Sequence, residues 1–473
     1  MHIVLEMLKK AKSHILSWSW LKQTLMSIAV LGFLFSNFMF ITPWGTSIRE
    51  QLAEMFIITQ HREWAWLFVG AKERDAMVNR MWEVAENNSK EAQDLKRINL
   101  SNRKVRSRDE LIKVVDIQDT KRSTPIWKGK MMYVYDPRSI RVVTTSKFQE
   151  GEKVSDMVKR TGAVAGVNGG AFADPEGLGN GFAPIGFIKS AGQLLYNDRD
   201  GSIPMMTVGF NKDGILVIGK YSLDELDAMN VTDAVFWQPR IIANGKALPV
   251  ANDGRNPRTA VGQRRDGTVI FIVIDGRSSV SLGATQEEVQ ELFMAEDVDT
   301  AGFLDGGASS ELVVEGQLLT KPSSKYGERR LPSAFLVFDH PENYKPIRIW
   351  DGIKSINPGG SFDHPEYQKD LADQRARGLL NSPTPTPKIS TQPSREPEPS
   401  KTPTSSSNSN SPTPGASSNK TSPTPAGGGG SHSPNANGDG GSSATPNASP
   451  KTTTSPSSTP ATSSPQPSGS KTP

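Results

Sequence analysis

The chain has 473 residues, a formal net charge of only +4 and no cysteine. The lack of cysteine excludes disulfide bonds and thiolate metal sites, and the small charge, without a block of basic and aromatic residues, argues against a nucleic-acid partner. The length would allow two or three domains, but the uneven composition confines the folded part to the region before residue 382.

The first element in chain order is an apolar segment without charge, residues 24–41. Its length is at the short end of the roughly 17 to 25 residues that span a bilayer. Four lysines precede it: Lys9, Lys10, Lys12 and Lys22. This basic flank predicts a cytoplasmic segment 1–23 and a chain that continues outside a bacterial cell membrane. A cleaved signal peptide is the alternative, but no small-residue cleavage site follows Ile41, so an uncleaved signal-anchor is favoured.

Residues 46–108 are predicted to form a helical juxtamembrane region and a stalk. Leu52, Met55 and Phe56 share one helical face. His61 stands beside aromatic residues and is interpreted as a packing residue. The polar stretch 87–109 is interpreted as the stalk or an irregular connection.

Residues 109–339 carry the signals of a folded domain, with short β-branched runs bounded by turn residues. Helices are predicted at 153–160 and after Thr285, where Glu288 completes a capping box. Many strands and few helices predict an α+β fold with a mixed, largely antiparallel sheet. The predicted strands cover residues 111–117, 131–135, 141–145, 164–167, 185–188, 205–210, 215–218, 259–263, 268–274, 312–314, 317–319 and 335–338.

Two further segments complete the chain. Residues 340–381 form a polar extension with isolated aromatic residues, which we expect to pack loosely. Residues 382–473 are rich in Ser, Thr and Pro and contain no aromatic residue, so they cannot bury a core. This tail is predicted to be disordered, either as a spacer that crosses cell wall or carries O-glycans, or with no defined role.

The stretch 268–318 organises the predicted domain. The run Val269 to Ile274 forms a buried strand that ends at Asp275, and a second run after one helix ends at Asp305. The paired glycines Gly306 and Gly307 permit positive φ and close approach of a ligand. Because both aspartates follow strands that one helix joins, we expect them to share one site.

The residue types at this site favour carboxylate chemistry. No histidine lies between residues 109 and 339, which removes a Ser-His-Asp triad and a His-ligated zinc site from within the domain. Asp275 and Asp305 are the predicted acid and base pair, with Glu311 in reserve. A purely structural role, as turn caps that support Arg258, is the alternative for both aspartates.

The same region contains groups suited to an anion. Arg258 and Arg277 can hold an anionic group bidentately, and a glycine turn followed by Ser309 and Ser310 can present N–H donors to phosphate oxygens. Asp275 and Asp305 are also hard oxygen ligands, so Ca²⁺ or Mg²⁺ could bind there, although their spacing shows no dedicated cage and no cofactor is certain.

Five motifs in this order resemble the phosphodiester glycosidase family, over roughly residues 114–338. They are GVNGGAF (166–172), NPRTAVG (256–262), IDGR (274–277), LDGGASSELVVEG (304–316) and GERRLPSAFLVF (327–338). The resemblance implies hydrolysis of the bond between an anomeric sugar carbon and phosphate. Ala308 and Glu311 depart from the family pattern, where glycine and threonine are common, and these departures concern the substrate more than the reaction.

The resemblance also implies roles for the residues in the shared motifs. Asp305 is predicted as nucleophile or base, and Asp275 as a supporting or metal-binding residue. Arg258 is predicted to hold the phosphate, and Asn168 to bind the sugar or orient water. The remaining predicted substrate or phosphate contacts are Thr259, Arg277, Gly306, Gly307, Ser309 and Ser310.

The sequence therefore predicts a membrane-anchored extracytoplasmic hydrolase that acts on a sugar-phosphate or cell-wall glycan. Surface glycans or exopolysaccharides with sugar-phosphate linkages are the expected substrates. Two alternatives remain: a noncatalytic glycan-binding surface module, and an accessory factor of exopolysaccharide assembly that contacts a membrane partner through the region 47–88.

Overall fold

A computed structural model describes residues 6, 17–57, 62–101, 104–237, 239–251 and 254–379 of the protein. His61, the tail from residue 382 and most of the predicted cytoplasmic segment lie outside these ranges. The described helices are α1 Trp20–Ile41, α2 Pro43–Ile57, α3 Trp66–Val69, α4 Ala71–Lys90, α5 Arg108–Leu111, α6 Val154–Thr161, α7 Leu223–Ala228, α8 Gln286–Ala295 and α9 Pro365–Ala376.

The N-terminal helices begin with α1, which has 22 residues and buries none of them. Among the described helices, it alone is long and apolar enough to cross a membrane, a test that a signal sequence also passes. Helices α2 to α4 pack together around Ala53, Ile57 and Ala65. The helical character predicted for this region is present.

The end of α4 and the connection that follows it lie against the domain, where the sequence predicted a stalk or an irregular connection. The side-chain amide of Asn88 donates to the carbonyls of Arg240 and Pro249, at 2.9 and 2.7 Å. The Gln93 side chain bonds to the backbone of Leu216 and Ile218, and Arg97 pairs with the buried Asp299 at 2.8 Å. These polar side chains satisfy backbone groups of the domain, which composition alone does not reveal.

Three antiparallel sheets form the domain. The predicted α+β fold with largely antiparallel strands is confirmed. The strands are β1 Ile112–Gln118, β2 Lys128–Val134, β3 Ile140–Thr144, β4 Ala165–Asn168, β5 Phe187–Ser190, β6 Gln193–Asn197, β7 Met205–Asn211, β8 Leu216–Tyr221, β9 Val231–Phe236, β10 Arg240–Ala243, β11 Lys246–Ala247, β12 Arg258–Arg264, β13 Val269–Ile274, β14 Val298–Phe303, β15 Leu312–Val314, β16 Gln317–Leu318 and β17 Ser333–Val337.

The strand orders define the sheets. The first has seven strands in the order β1-β2-β13-β12-β14-β10-β11, and the second has five in the order β16-β15-β4-β17-β3. The third has five in the order β6-β5-β9-β7-β8. Strand β13, buried at all six positions, occupies the inside of the first sheet, which explains its continuous apolar run.

The main core lies where the three sheets meet. The ring of Phe335 from the second sheet packs edge-on against Phe210 of the third, with centroids 6.0 Å apart. It also contacts Phe271 of the first sheet at 6.4 Å. One aromatic residue therefore links the three sheets, and this core holds the strand ends at fixed positions.

The C-terminal extension packs into the domain rather than loosely. Trp350 is only 5% exposed, and its indole nitrogen donates to the carbonyl of Phe182 at 2.9 Å. Its ring contacts Phe182 and Tyr196 at 5.8 and 5.7 Å. An isolated aromatic in a polar segment is a weak sequence signal, because its partners lie more than 150 residues away.

We predict that Trp350→Ala destabilises the domain by about 3 to 5 kcal/mol, since it removes a buried ring and leaves the Phe182 carbonyl unpaired. Urea denaturation of the full chain in detergent measures this change. Phe362→Ala, at a 45% exposed position of the same extension, is the matched control and should change stability by less than about 0.5 kcal/mol. Equal stabilities of the two variants would contradict the packing.

Candidate active site

The site is built on the edge of the first sheet where β12 begins. Arg258 pairs with Ile274 of β13 on one side, and the Thr259 carbonyl accepts from Leu304 at 2.9 Å on the other. Asp275 and Asp305, the next residues along these strands, therefore lie two strand spacings apart, about 10 Å. The structure places both predicted carboxylates at one sheet edge, on either side of β12.

Asn168 lies beneath this edge and is fully buried. Its amide nitrogen donates to the Asp305 carbonyl at 2.6 Å. Its amide oxygen accepts from the Thr259 hydroxyl at 2.7 Å and from the Glu311 N–H at 3.2 Å. The predicted sugar contacts of Asn168 and Thr259 do not fit this geometry, because both side chains are buried and bonded to each other. Their position makes them positioning residues for Asp305.

Asp305 is the carboxylate whose surroundings match acid–base chemistry. Burial raises its pKa to about 6, and the nearby Asp174 adds to this rise. The Ser309 hydroxyl and the Gly306 N–H donate to the carboxylate and offset part of the effect, as does the positive charge of Arg329. A carboxyl group with a pKa near neutrality can exchange a proton at physiological pH.

Arg329 and Asp174 were not among the residues selected from the sequence. The two form an ion pair, in which both side chains are about nine-tenths buried. Arg329 also donates to the Ser309 hydroxyl at 3.4 Å, and its guanidinium lies 5.0 Å from the ring centroid of Phe172. The signal for Arg329 was its place in the GERRLP motif, whereas Asp174 follows the Asn-Gly-Gly turn without a distinguishing pattern.

Arg277 approaches the glycine turn from the other side. It adopts a positive φ of 53°, and its guanidinium donates to the Asn256 side chain at 3.1 Å. A β-carbon on Gly307 would lie 3.4 Å from its Nη2 atom, so glycine permits this close approach. Although the residue as a whole is exposed, exclusion of water around the guanidinium and repulsion by Arg258 and Arg329 lower the pKa of Arg277. An anion between these arginines would relieve the repulsion.

Arg258 has a different environment from the one predicted. Its guanidinium is buried, donates to the carbonyls of Ala284 and Gly254 at 3.0 and 2.9 Å, and lies over the ring of Phe303. These bonds fix the entry of β12. Arg277 and Arg329 are therefore better placed than Arg258 to hold an anionic group, because Arg258 uses its donors on the backbone.

The glycine turn also differs from an N–H cradle. The N–H of Gly307 donates to the Pro257 carbonyl at 3.0 Å. The N–H groups of Ser309 and Ser310 donate within the turn, to Gly306 and Gly307. Because the segment Gly307–Ser309 forms a 3₁₀ turn, these donors are already used. These three N–H groups are consequently not free to make the predicted contacts with a phosphate.

Asp275 is held by neighbouring loops. One carboxylate oxygen accepts from the Lys321 N–H at 2.8 Å, and its carbonyl accepts from the Ser281 hydroxyl at 2.6 Å. Burial raises its pKa. Within the part of the chain that the structure describes, no group of three or more His, Asp and Glu side chains is arranged to hold a metal ion. Ca²⁺ or Mg²⁺ at Asp275 and Asp305 stays a prediction.

Glu311 is the most unusual acid of the site. It is fully buried, and neither of its carboxyl oxygens has a hydrogen-bond partner within the described residues. Burial raises the pKa of Glu311 well above its ordinary value, as does repulsion by Glu328 and Asp305, and Arg329 and Lys153 only partly offset this. Burial and the neighbouring acids therefore favour the protonated form of the Glu311 side chain.

We predict that Glu311→Gln flattens the pH dependence of stability. Because the folded protein holds the Glu311 proton above pH 4.5, where the unfolded chain releases it, wild-type stability is highest below that pH and falls as pH rises toward the folded-state pKa. The amide carries no such proton. Denaturation of the full chain at several pH values between about 4.5 and 8 measures the slope.

The exposed Glu287→Gln on α8 is the matched control and should keep the wild-type slope. If Glu311→Gln and Glu287→Gln gave the same slope as wild type, Glu311 would be ionised in the folded state and the description above would be wrong.

Comparison with known proteins agrees with the class of site that this geometry defines. Residues 161–338 match the family model described as Phosphodiester glycosidase. This range contains every residue of the site named above, from Asn168 to Arg329. The resemblance that the sequence motifs indicated is therefore confirmed over residues 161–338.

The particular relatives include N-acetylglucosamine-1-phosphodiester alpha-N-acetylglucosaminidase of Bos taurus. It is 29% identical over 192 residues, which cover 36% of this chain and 34% of the bovine protein. The SPbeta prophage-derived uncharacterized protein YomE of Bacillus subtilis is 37% identical over 97 residues, 20% of this chain and 15% of YomE. This chain thus spans about a third or less of the length of these relatives.

A solved structure is also similar. It is the zebrafish N-acetylglucosamine-1-phosphodiester alpha-N-acetylglucosaminidase catalytic domain auto-inhibited by pro-peptide, with 25% identity and a TM-score of 0.42. The match covers 50% of this chain and 86% of the zebrafish chain.

Proposed function

We propose that the domain hydrolyses a sugar-1-phosphodiester at the bond between the anomeric carbon and the phosphate oxygen. The observation that carries this proposal is the pairing of Asp305, whose pKa is about 6, with the flanking cations Arg277 and Arg329. Such a site combines a base for water with charges for a phosphate. The family match and the named glycosidase relatives support the same reaction.

In the proposed step, Arg277 and Arg329 hold the phosphate of the substrate. Asp305 takes a proton from a water molecule, whose oxygen bonds to the anomeric carbon. The carbon–oxygen bond to phosphate breaks, and its electron pair leaves with the phosphate monoester. Because that leaving group is already acidic, it needs little protonation, and a strong general acid is not required.

The surrounding residues tune this step. Asp174 orients Arg329 through their ion pair, and the Ser309 hydroxyl bridges Arg329 and Asp305. Asn168 fixes the backbone at Asp305 from below. Because burial and neighbouring acids favour the protonated form of Glu311, this side chain opposes the binding of an anion less than an exposed carboxylate would.

We predict that Asp305→Asn lowers kcat/KM for a sugar-1-phosphodiester about 100- to 10,000-fold, because the amide cannot accept the proton from water. Sugar release by the full chain in detergent from a panel of such diesters measures the effect. Wild-type kcat/KM should rise with pH through about 6 as Asp305 ionises, and the variant should lose this rise. A sugar product of inverted configuration identifies Asp305 as a base, whereas retention identifies a nucleophile.

Asp224→Asn, at an exposed position in the first turn of α7, is the control and should retain full activity. Saturable binding of the diesters by folded protein without any release of sugar would instead establish a glycan-binding module and contradict the proposal.

We propose further that α1 anchors the protein in a bacterial cell membrane with the domain outside. Its 22 residues span about 33 Å, close to the thickness of the hydrocarbon core. The basic residues before it favour a cytoplasmic N-terminus. Sugar-phosphate linkages in surface glycans or exopolysaccharides are the substrates that this location makes accessible.

The anchor predicts that the protein remains in the membrane fraction after alkaline extraction and keeps its N-terminal residues. It also predicts that protease added to intact cells, or to spheroplasts where an outer layer blocks access, digests the domain. Mass spectrometry of the purified N-terminus and immunoblotting of the fractions provide the measurements. Cleavage after residue 41 with release of the domain would establish a signal peptide instead.

A further inference from the structure

A cavity lies near the site, and most of the segments that form it are outside the range of the family match. Its volume is about 510 Å³, within the usual range for small-molecule sites. The loop after β3, the loop before β5 and the C-terminal extension enclose it. Lining residues from these segments include Phe148, Asn180, Phe182, Ile353, Ile356 and His364.

One wall of the cavity is aromatic. Phe148 is 65% exposed, and its ring packs edge-on against Phe182 at 6.0 Å. Phe182 in turn rests on Trp350 at 5.8 Å. The exposed ring is therefore supported from behind by a buried aromatic stack. A supported ring with a free face offers an apolar surface for the C–H face of a sugar ring.

The other wall is polar and fixed in place. Arg330 forms ion pairs with Glu150 and Glu366 at 2.5 and 3.0 Å. The Nδ1 atom of His364 accepts from the Tyr367 N–H at 3.3 Å, so its Nε2 atom carries the ring proton. Burial lowers the pKa of His364, which keeps the ring neutral. The neutral His364 ring and the ion-paired Arg330 beside an apolar ring suit the hydroxyl groups of a ligand.

The cavity lies close to the Arg329 side of the site. Phe172 and Asp174, at the start of the loop that leads to Asn180 and Phe182, contact Arg329. Arg330, which lines the cavity, is the next residue after Arg329. The His364 ring stands 5.1 Å from that of Tyr326, and its charge state depends on both Arg329 and Asp174. Arg329 thus has both Asp305 and a residue of the cavity wall among its neighbours.

We propose that this cavity is a subsite for the saccharide on the phosphate side of the substrate, with Phe148 as its stacking surface. The inference rests on the proposed function. If Asp305 acts at the anomeric carbon and Arg329 holds the phosphate, the group esterified to that phosphate extends past Arg329 into the cavity. The released sugar lies on the opposite side of Asp305. The cavity would then determine which phosphorylated glycan the protein accepts.

Two diesters with the same glycosyl group test the proposal with the full chain in detergent. One carries a methyl group on the phosphate and the other a hexose. Phe148→Ala should raise KM for the hexosyl diester about tenfold, without changing kcat, because it removes binding that is equal in the ground and transition states. It should change KM for the methyl diester less than about twofold.

Ile203→Ala, at a 48% exposed position that does not line the cavity, is the matched control and should alter neither KM. Unchanged kinetics of Phe148→Ala with both diesters would overturn the subsite, as would an equal rise in both KM values. If wild type released sugar from neither diester, the proposed function would fail instead. Titration with a hexose phosphate would then test binding in the cavity independently of hydrolysis. Phe148→Ala should weaken the binding of the hexose phosphate, and Ile203→Ala should leave it unchanged.

Discussion

The side-chain amide of Asn168 is the constraint on which the site depends. It lies at the end of β4 in the second sheet, yet its bonds reach Thr259 of the first sheet and the backbone of Asp305 and Glu311. Asn168, Thr259 and Glu311 are buried, so each of their polar groups would cost about 1 to 3 kcal/mol if left unpaired. The amide thus couples the relative position of two sheets to the position of one carboxylate. Packing of Phe335 also stabilises the contact between the sheets, but the directional hydrogen bonds of Asn168 set the geometry of that contact.

Positive and negative side chains of the site lie next to one another. Arg329 is paired with Asp174, and its charge also partly offsets the rise in the pKa values of Asp305 and Glu311 that burial causes. Arg277 has no such acidic neighbour among the main causes of its shifted pKa and is repelled by Arg258 and Arg329 instead. The region around the glycine turn is consequently short of negative charge, although it contains several acids. The raised pKa of Glu311, which favours its protonated form, is part of this balance.

Much of this arrangement could be predicted from the sequence, because the decisive signals are local. The apolar run before Asp275 gave the right strand, and the capping box of Thr285 and Glu288 is present at the start of α8. Strands such as β9 and β10 were missed, because a short run with mixed polarity becomes a strand only through partners far along the chain.

The contacts of the candidate site residues were missed for the same reason. Asn168 and Arg258 lie at the predicted sheet edge, but their motifs do not show that their side chains bond to backbone carbonyls. Arg329 and Asp174 acquire their importance only as a pair, across more than 150 residues. The same distance hid Trp350, whose partners lie in other segments. Sequence spacing therefore identified the candidate residues, while the bonds between their side chains are visible only in three dimensions.

The end of α4 and the segment that follows it are fixed to the domain. Asn88, Gln93 and Arg97 fasten them to strands of two sheets, so the domain does not hang from a flexible tether at this point. A tethered domain would sweep a volume that grows with linker length. A domain that is fixed in this way keeps a constant orientation relative to α4 and samples little of the surrounding space. Any molecule that binds the site then meets it in an orientation that is fixed relative to α4.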